Sequence, residues 1–359
     1  MAAVAMDVLL LLAVAGVITA SLKAWLAIVG RWRQRLPLVE YEPRQAAPWT
    51  GLDLLVIVVV YFATNAGLLL LVLRPASAEA LGKLDFRSVV NSLAATSLAN
   101  LATVAFAIGW TRLAAGATWS DLGLRFNRAR DDVRLGLAAF AAVSVPIYVL
   151  QALLSQFVQE EHPIITLLKE HRQPWLLALC AFSAVIVAPL AEEFFFRVLL
   201  QGWLESLGER MAPLRGDFRT DPTDSGKSHT DQVYEDKLAA SPGNRTLDRE
   251  NPYAAPGSMA ATPELSREES GPATSDGRAE GPNAGGMRWR SASVAISSLV
   301  FSLLHLGHGA DPVPLFFLAL ALGYLYQRTG RLLPSVVVHF CLNTCSLIAL
   351  WFSVAAGVQ

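Results

Sequence analysis

Residues 175–204 read WLLALCAFSAVIVAPLAEEFFFRVLLQGWL, and their only charged side chains belong to Glu192, Glu193 and Arg197. A helix needs roughly 20 mostly apolar residues to cross the hydrocarbon core of a bilayer. This stretch is therefore predicted to be a membrane-spanning helix. Because ionisable groups inside a bilayer are costly unless they are paired or wetted, the three charged residues also mark a candidate functional site.

The whole chain has the composition of a membrane protein. Of its 359 residues, 53% are hydrophobic and only 16% are charged, whereas about a quarter of the residues in a typical soluble domain are charged. The predicted spans are Val8–Val29, Leu52–Leu73, Val89–Trp110, Val133–Phe157, Trp175–Leu204, Ala292–Gly307, Val313–Tyr326 and Leu332–Phe352. The sixth and seventh are short and the third is diluted by polar residues, so seven spans is the alternative count. We therefore predict an all-α polytopic membrane protein of about eight transmembrane helices.

Basic residues in the short loops predict the orientation. Eleven arginines follow the first and third spans or lie between the seventh and eighth, whereas five basic residues lie on the opposite side. By the positive-inside rule, the arginine-rich side is cytoplasmic and both ends of the chain are outside. The chain carries 29 basic and 30 acidic residues, and without a basic excess nucleic acid is not an expected partner.

Residues 205–290 differ from the rest of the chain. They hold 26 of its 59 charged residues, are rich in Pro, Gly and Ser, and contain few aromatic residues. Such a segment cannot bury enough apolar surface to offset its loss of conformational entropy on folding. We predict that it is a long disordered cytoplasmic insertion.

The first cluster of polar residues lies in the fifth span. On a helix, Glu193 and Arg197 are four residues apart and can form a charge-assisted pair. Glu192 projects about 100° away from Glu193, so it can face a different surface. An unpaired carboxylate in that position is a candidate general base.

Two further clusters lie in the sixth and eighth spans. His339 and Asn343 are four residues apart, so an imidazole and an amide can together donate two hydrogen bonds to a developing oxyanion. Phe301 and His305 have the same spacing, and the phenyl ring can restrict the rotamers of the imidazole. Taken together, the clusters predict an acid–base site within the helices.

These clusters resemble the three signatures of the CAAX-protease and bacteriocin-processing (CPBP, or Abi) family of intramembrane endopeptidases. The signatures are Glu-Glu-x-x-x-Arg, Phe-x-x-x-His and His-x-x-x-Asn, and they correspond here to Glu192, Glu193 and Arg197, to Phe301 and His305, and to His339 and Asn343. The resemblance covers roughly residues 119–350. The chain departs from the family at Val198, where Gly is usual, and in the 86-residue insertion between the first two signatures.

The resemblance implies eight helices around a polar, water-filled cavity. In that cavity Glu192 and His305 would activate a water to hydrolyse a peptide bond, and His339 and Asn343 would stabilise the oxyanion. The signature residues that would support the site are Glu193, Arg197 and Phe301. The expected organisation is a set of N-terminal transmembrane helices over residues 1–114, a catalytic membrane domain over residues 115–204 and 291–352, and the disordered loop over residues 205–290.

Two alternatives remain open. The first is a zinc-dependent intramembrane metalloprotease with Glu192, His305 and His339 as metal ligands, and the second is a non-proteolytic membrane scaffold or immunity protein. We favour a site without a cofactor, because Asn343 beside His339 is a poor zinc ligand but a good amide donor. The expected partners are membrane lipids and a peptide or membrane-protein substrate, lipidated substrates included. The expected location is the bacterial plasma (inner) membrane.

Overall fold

A computed structural model of the protein describes residues 2–72, 86–157, 173–211, 284–307 and 309–356. These ranges contain eight helices and no β-strand. The helices are α1 (Ala2–Arg33), α2 (Gly51–Val72), α3 (Phe86–Ala114), α4 (Ala129–Leu154), α5 (Pro174–Met211), α6 (Ala284–Leu303), α7 (Pro312–Thr329) and α8 (Leu333–Ala356). Six of them, all except α6 and α7, are long and apolar enough to cross a membrane. The predicted all-α polytopic membrane fold is confirmed.

The helices pack around α4 and α5. α4 contacts α1, α7 and α8, while α2 packs along α3 and α6 packs along α7. α5 contacts α3, α6 and α8. The side chains of α1 and α2 are mostly exposed, as expected for apolar helices that face lipid. The polar residues of the fifth, sixth and eighth predicted spans are consequently brought together in the interior.

The segment between α1 and α2, residues 34–50, crosses one end of the bundle and is held by charged residues. Glu42 accepts hydrogen bonds from Arg128 and Arg331, both at 2.9 Å, and from Arg125 at 3.3 Å. These residues belong to segments that the positive-inside rule places on the cytoplasmic side. Because they meet at one end of the bundle, the structure agrees with the predicted alternation of the spans.

The predicted boundaries of the insertion, at residues 205 and 290, are wrong. α5 continues to Met211 and α6 begins at Ala284, so seven residues at each end of the predicted loop are helical. The reason is that charged residues there are paired instead of solvated: Glu205 binds Arg44 at 2.5 Å, and Arg290 binds Glu209. The rest of the predicted disordered loop, residues 212–283, lies outside the described residues.

The sixth span differs from the predicted Ala292–Gly307. α6 begins at Ala284 and ends at Leu303, and the next four residues form a turn. His305 therefore lies in this turn and not within the helix.

We predict that the helical ends on either side of the insertion, residues 205–211 and 284–290, stay packed together when the insertion is removed. Residues 217–280 would be deleted and the ends joined by a short Gly-Ser linker. Because Trp289 donates to the Leu204 carbonyl at 2.6 Å and Arg290 pairs with Glu209, this variant should keep the melting temperature of the full chain in detergent.

A longer deletion, of residues 205–290, is the matched control for this experiment. It removes Glu205 and Arg290 and leaves Arg44 without its carboxylate partner, so its melting temperature should fall. Equal melting temperatures for the two deletions would show that residues 205–211 and 284–290 do not stabilise the bundle.

Candidate active site

α5 is not a regular α-helix where it carries the site. Two π-helical segments, Phe182–Val187 and Phe194–Gln201, flank the α-helical turn Ala188–Glu193. Carbonyl groups of both segments accept hydrogen bonds from other helices: Asn343 donates to Ala184 and Ser297 donates to Phe196, each at 2.8 Å. Such π-helical turns are rare and often occur at functional sites. They couple the backbone of α5 to α8 and α6.

Glu193 is completely buried, and both of its carboxylate oxygens are bonded. Oε2 accepts from Nε of Arg197 at 3.0 Å, and Oε1 lies 3.1 Å from Nδ1 of His339. The predicted pair with Arg197 is therefore present, and the contact with α8 is additional. Partners on α5 and α8 therefore occupy both oxygens of this carboxylate.

Glu192 lies next along the helix and faces a different environment. Its side chain is 27% exposed, and its Oε2 is 3.7 Å from Nε2 of His339. His339 thus lies between two carboxylates, with one at each ring nitrogen. A separation of 3.7 Å is too long for a direct hydrogen bond, but a water or a substrate atom beside the pair can bond to both groups.

His305 is fixed by its own turn. Its Nδ1 is 2.8 Å from the carbonyl oxygen of Phe301, and its ring lies 4.7 Å from the phenyl ring of that residue. Because a carbonyl can only accept, Nδ1 carries the proton and Nε2 is the acceptor of the neutral ring. His305 and His339 are both close enough to Glu192 to interact with it electrostatically.

Phe301 is fully buried and joins the parts of the site. Its ring lies 5.0 Å from Phe196 and 6.2 Å from the ring of His339, both edge-on, and the guanidinium of Arg197 lies 5.7 Å from its centre. One aromatic side chain of α6 therefore limits the movement of residues on α5 and α8.

Asn343 is half-buried on α8, one turn after His339. One of its amide hydrogens is donated to the Ala184 carbonyl, which fixes the orientation of the amide and leaves the second hydrogen for another acceptor. All seven residues predicted from the sequence therefore lie in one region of the bundle. Sequence reasoning missed Ser297 and the Ala184 carbonyl; a serine in an apolar span was the only available signal for the first.

The residues were also tested as a metal site. Glu192 and His339 approach closely enough to share an ion, but the described part of the chain contains no group of three His, Cys, Asp or Glu residues arranged to hold one. As positioned, these side chains do not supply the three protein ligands of a catalytic zinc centre.

Val198 replaces the glycine that is usual after the arginine of the first signature. It is completely buried and belongs to an apolar cluster that includes Trp49, Ile57 and Leu199. The larger side chain therefore packs among apolar residues of the α1–α2 segment, α2 and α5.

Comparison with known proteins agrees with the signatures. Residues 282–345 match the family model described as type II CAAX prenyl endopeptidase Rce1-like, which confirms the suspected resemblance to CAAX endopeptidases. The match includes the second and third signatures but begins after the first. No curated protein and no solved structure matches the chain.

We predict that the two adjacent carboxylates differ in their effect on stability. Glu193→Gln leaves Arg197 without a charged partner in a buried site, which should cost about 3 kcal/mol or more and lower the melting temperature in detergent. Glu192→Gln is the matched control, because Glu192 is partly exposed and lies 3.7 Å from its nearest charged partner. If Glu193→Gln melted at the wild-type temperature, the buried pair would not stabilise the fold.

Proposed function

We propose that this protein is an intramembrane endopeptidase of the CAAX-protease type. The observation that carries the proposal is the placement of His339 between a fully bonded, buried Glu193 and a partly exposed Glu192. One carboxylate orients the imidazole and the other remains available for proton transfer. The match to an endopeptidase family model supports the same reaction class.

In the proposed reaction, a water bound beside Glu192 gives a proton to that carboxylate while its oxygen attacks the peptide carbonyl carbon. The Nε2 atom of His305 accepts a hydrogen bond from the same water and orients it. The C–N bond then breaks as the protonated Glu192 returns the proton to the leaving amine. The active-site residues are thereby restored and one water is consumed.

The negative charge that develops on the carbonyl oxygen would be stabilised from α8. His339 in its doubly protonated form donates from Nδ1 to Glu193 and from Nε2 to the oxyanion. Asn343 donates its second amide hydrogen. Donors held in place before the reaction need no reorganisation when the charge develops. The bonds to Glu193 and to the Ala184 carbonyl supply this preorganisation.

The substrate class follows from the buried position of the site. We propose a peptide or membrane-protein substrate that reaches the site from the bilayer, and the name of the matched family model favours a prenylated C-terminal peptide. We further propose that the protein resides in a bacterial plasma membrane with residues 212–283 in the cytoplasm.

The central prediction concerns Glu192. Glu192→Gln removes the general base and should lower turnover of a farnesylated CAAX reporter peptide by on the order of 10²-fold or more, measured with purified protein in liposomes. Membrane proteomes of cells with the wild-type and substituted proteins would identify natural cleavage products. Near-normal cleavage by well-folded Glu192→Gln protein would disprove the mechanism, and intact biological function without any cleavage would favour the membrane scaffold.

A second prediction separates this mechanism from the zinc alternative. Purified active protein should contain far less than one metal ion per chain, and dialysis against a chelator should leave its rate unchanged. His339→Ala should lower the rate by about 10²–10³-fold without changing metal content. The zinc alternative predicts one zinc ion per chain, and it predicts that His339→Ala loses both the zinc and the activity. If these results were found, and if adding zinc restored the activity of metal-stripped wild-type protein, the protein would be a metalloprotease instead.

A further inference from the structure

A row of polar side chains runs along α5 from the active site towards the cytoplasmic end. The row has intervals of four residues and consists of Glu193, Arg197, Gln201, Glu205 and Glu209. The first four are buried. In a regular α-helix, residues spaced by four drift gradually around the helix axis. The π-helical segment within the row has more residues per turn, and it therefore keeps these side chains on one face of α5.

The row consists of two hydrogen-bonded groups. The inner group joins Arg197, Glu193 and His339. In the outer group, Nε2 of Gln201 donates to Oε1 of Glu205 at 2.9 Å and to the carbonyl of Gly323 at 3.0 Å.

Glu205 in turn binds Arg44 of the α1–α2 segment and lies 4.0 Å from Arg290. Burial disfavours the charged form of Arg44, but Tyr326 and Glu205 outweigh this effect and raise the pKa of its guanidinium above the ordinary value. Arg44 therefore stays charged within the outer group.

The inner and outer groups both contain buried polar atoms that lack a hydrogen-bond partner. Nη1 and Nη2 of Arg197 and Oε1 of Gln201 are buried and have no hydrogen-bond partner among the described residues. The nitrogen atoms are donors and the oxygen is an acceptor. Buried polar atoms of this kind are nearly always bonded in folded proteins, commonly through an ordered water.

Gly323 of α7 lies beside these atoms. A Cβ atom at this position would lie 3.0 Å from Oε1 of Gln201, 3.5 Å from Nη1 of Arg197 and 2.8 Å from Cγ1 of Val294. Both unsatisfied side chains therefore border the same small volume, and any side chain larger than hydrogen would enter it.

We infer that Gln201 is a positioning residue for the active site, acting through a buried water beside Gly323 that accepts from Arg197 and donates to Oε1 of Gln201. The water joins the inner group to the outer group. It holds the guanidinium of Arg197 so that Glu193 keeps His339 in place. The inference rests on the proposed peptidase function, because positioning is defined by that reaction.

Two substitutions at Gly323 test whether a water joins Arg197 to Gln201. Gly323→Ala and Gly323→Ser introduce the same Cβ atom and the same contact with Val294, but only serine brings a hydroxyl that can replace the water. Both are made in a Val294→Ala background to relieve the shared contact. With the farnesylated CAAX reporter in liposomes, we expect Gly323→Ala to lower kcat by about 10-fold or more with little change in KM.

Gly323→Ser should recover most of the lost kcat at a similar melting temperature. Equal kcat values for the alanine and serine variants, whether both low or both normal, would overturn the inference. A purely packing role for Gly323 predicts this equality, since the two side chains differ only in the hydroxyl.

A second measurement does not depend on peptidase activity. Melting temperatures in detergent are compared for Gln201→Leu, Glu193→Gln and the double variant. If the two groups are joined, the double variant should lose clearly less than the sum of the single losses. Additive losses would overturn the inference. If the losses were non-additive but the protein cleaved no peptide, the water-mediated link between the two groups would stand and only the proposed function would be refuted.

Discussion

The site depends on the charge of one buried carboxylate. Glu193 has no solvent exposure, and an ionised carboxylate in such an environment persists only if other groups compensate its charge and fill its hydrogen-bonding capacity. Arg197 supplies the charge from the same helix, and His339 supplies a ring nitrogen from α8. The relative position of α5 and α8 is thereby constrained by electrostatics as well as by packing, and Phe301 of α6 completes the contact.

The same constraint separates the roles of two adjacent residues. Successive residues on a helix point about 100° apart, so Glu192 cannot share the enclosed environment of Glu193 and lies where its side chain is partly exposed. A buried carboxylate with two partners is suited to orienting a histidine, whereas a partly exposed one can exchange a proton. The π-helical segments on either side add to this arrangement, because they present backbone carbonyls to Asn343 and Ser297.

Charge compensation also organises the C-terminal end of α5. Glu205, Arg44 and Arg290 come from three separate segments, and their pairing extends α5 and α6 beyond the apolar part of the bundle. These helical extensions flank residues 212–283. The polar row along α5 therefore runs from the proposed reaction centre to the end of the helix near Met211.

The eight helices, the Glu193–Arg197 pair and the contact of Phe301 with His305 were all predictable from the sequence. Hydropathy over about 20 residues and spacings of four residues are local properties, which bring side chains together within a helix or, for His305, in the turn that follows it. The ends of α5 and α6 were not predictable, because the partner of Glu205 is 161 residues away along the chain. Nor was the contact between His339 and Glu193, which are 146 residues apart. Sequence alone thus determined which residues could take part in acid–base chemistry. Only the tertiary structure determined which carboxylate is enclosed and which is open, because burial and pairing depend on groups that the chain brings together from distant positions.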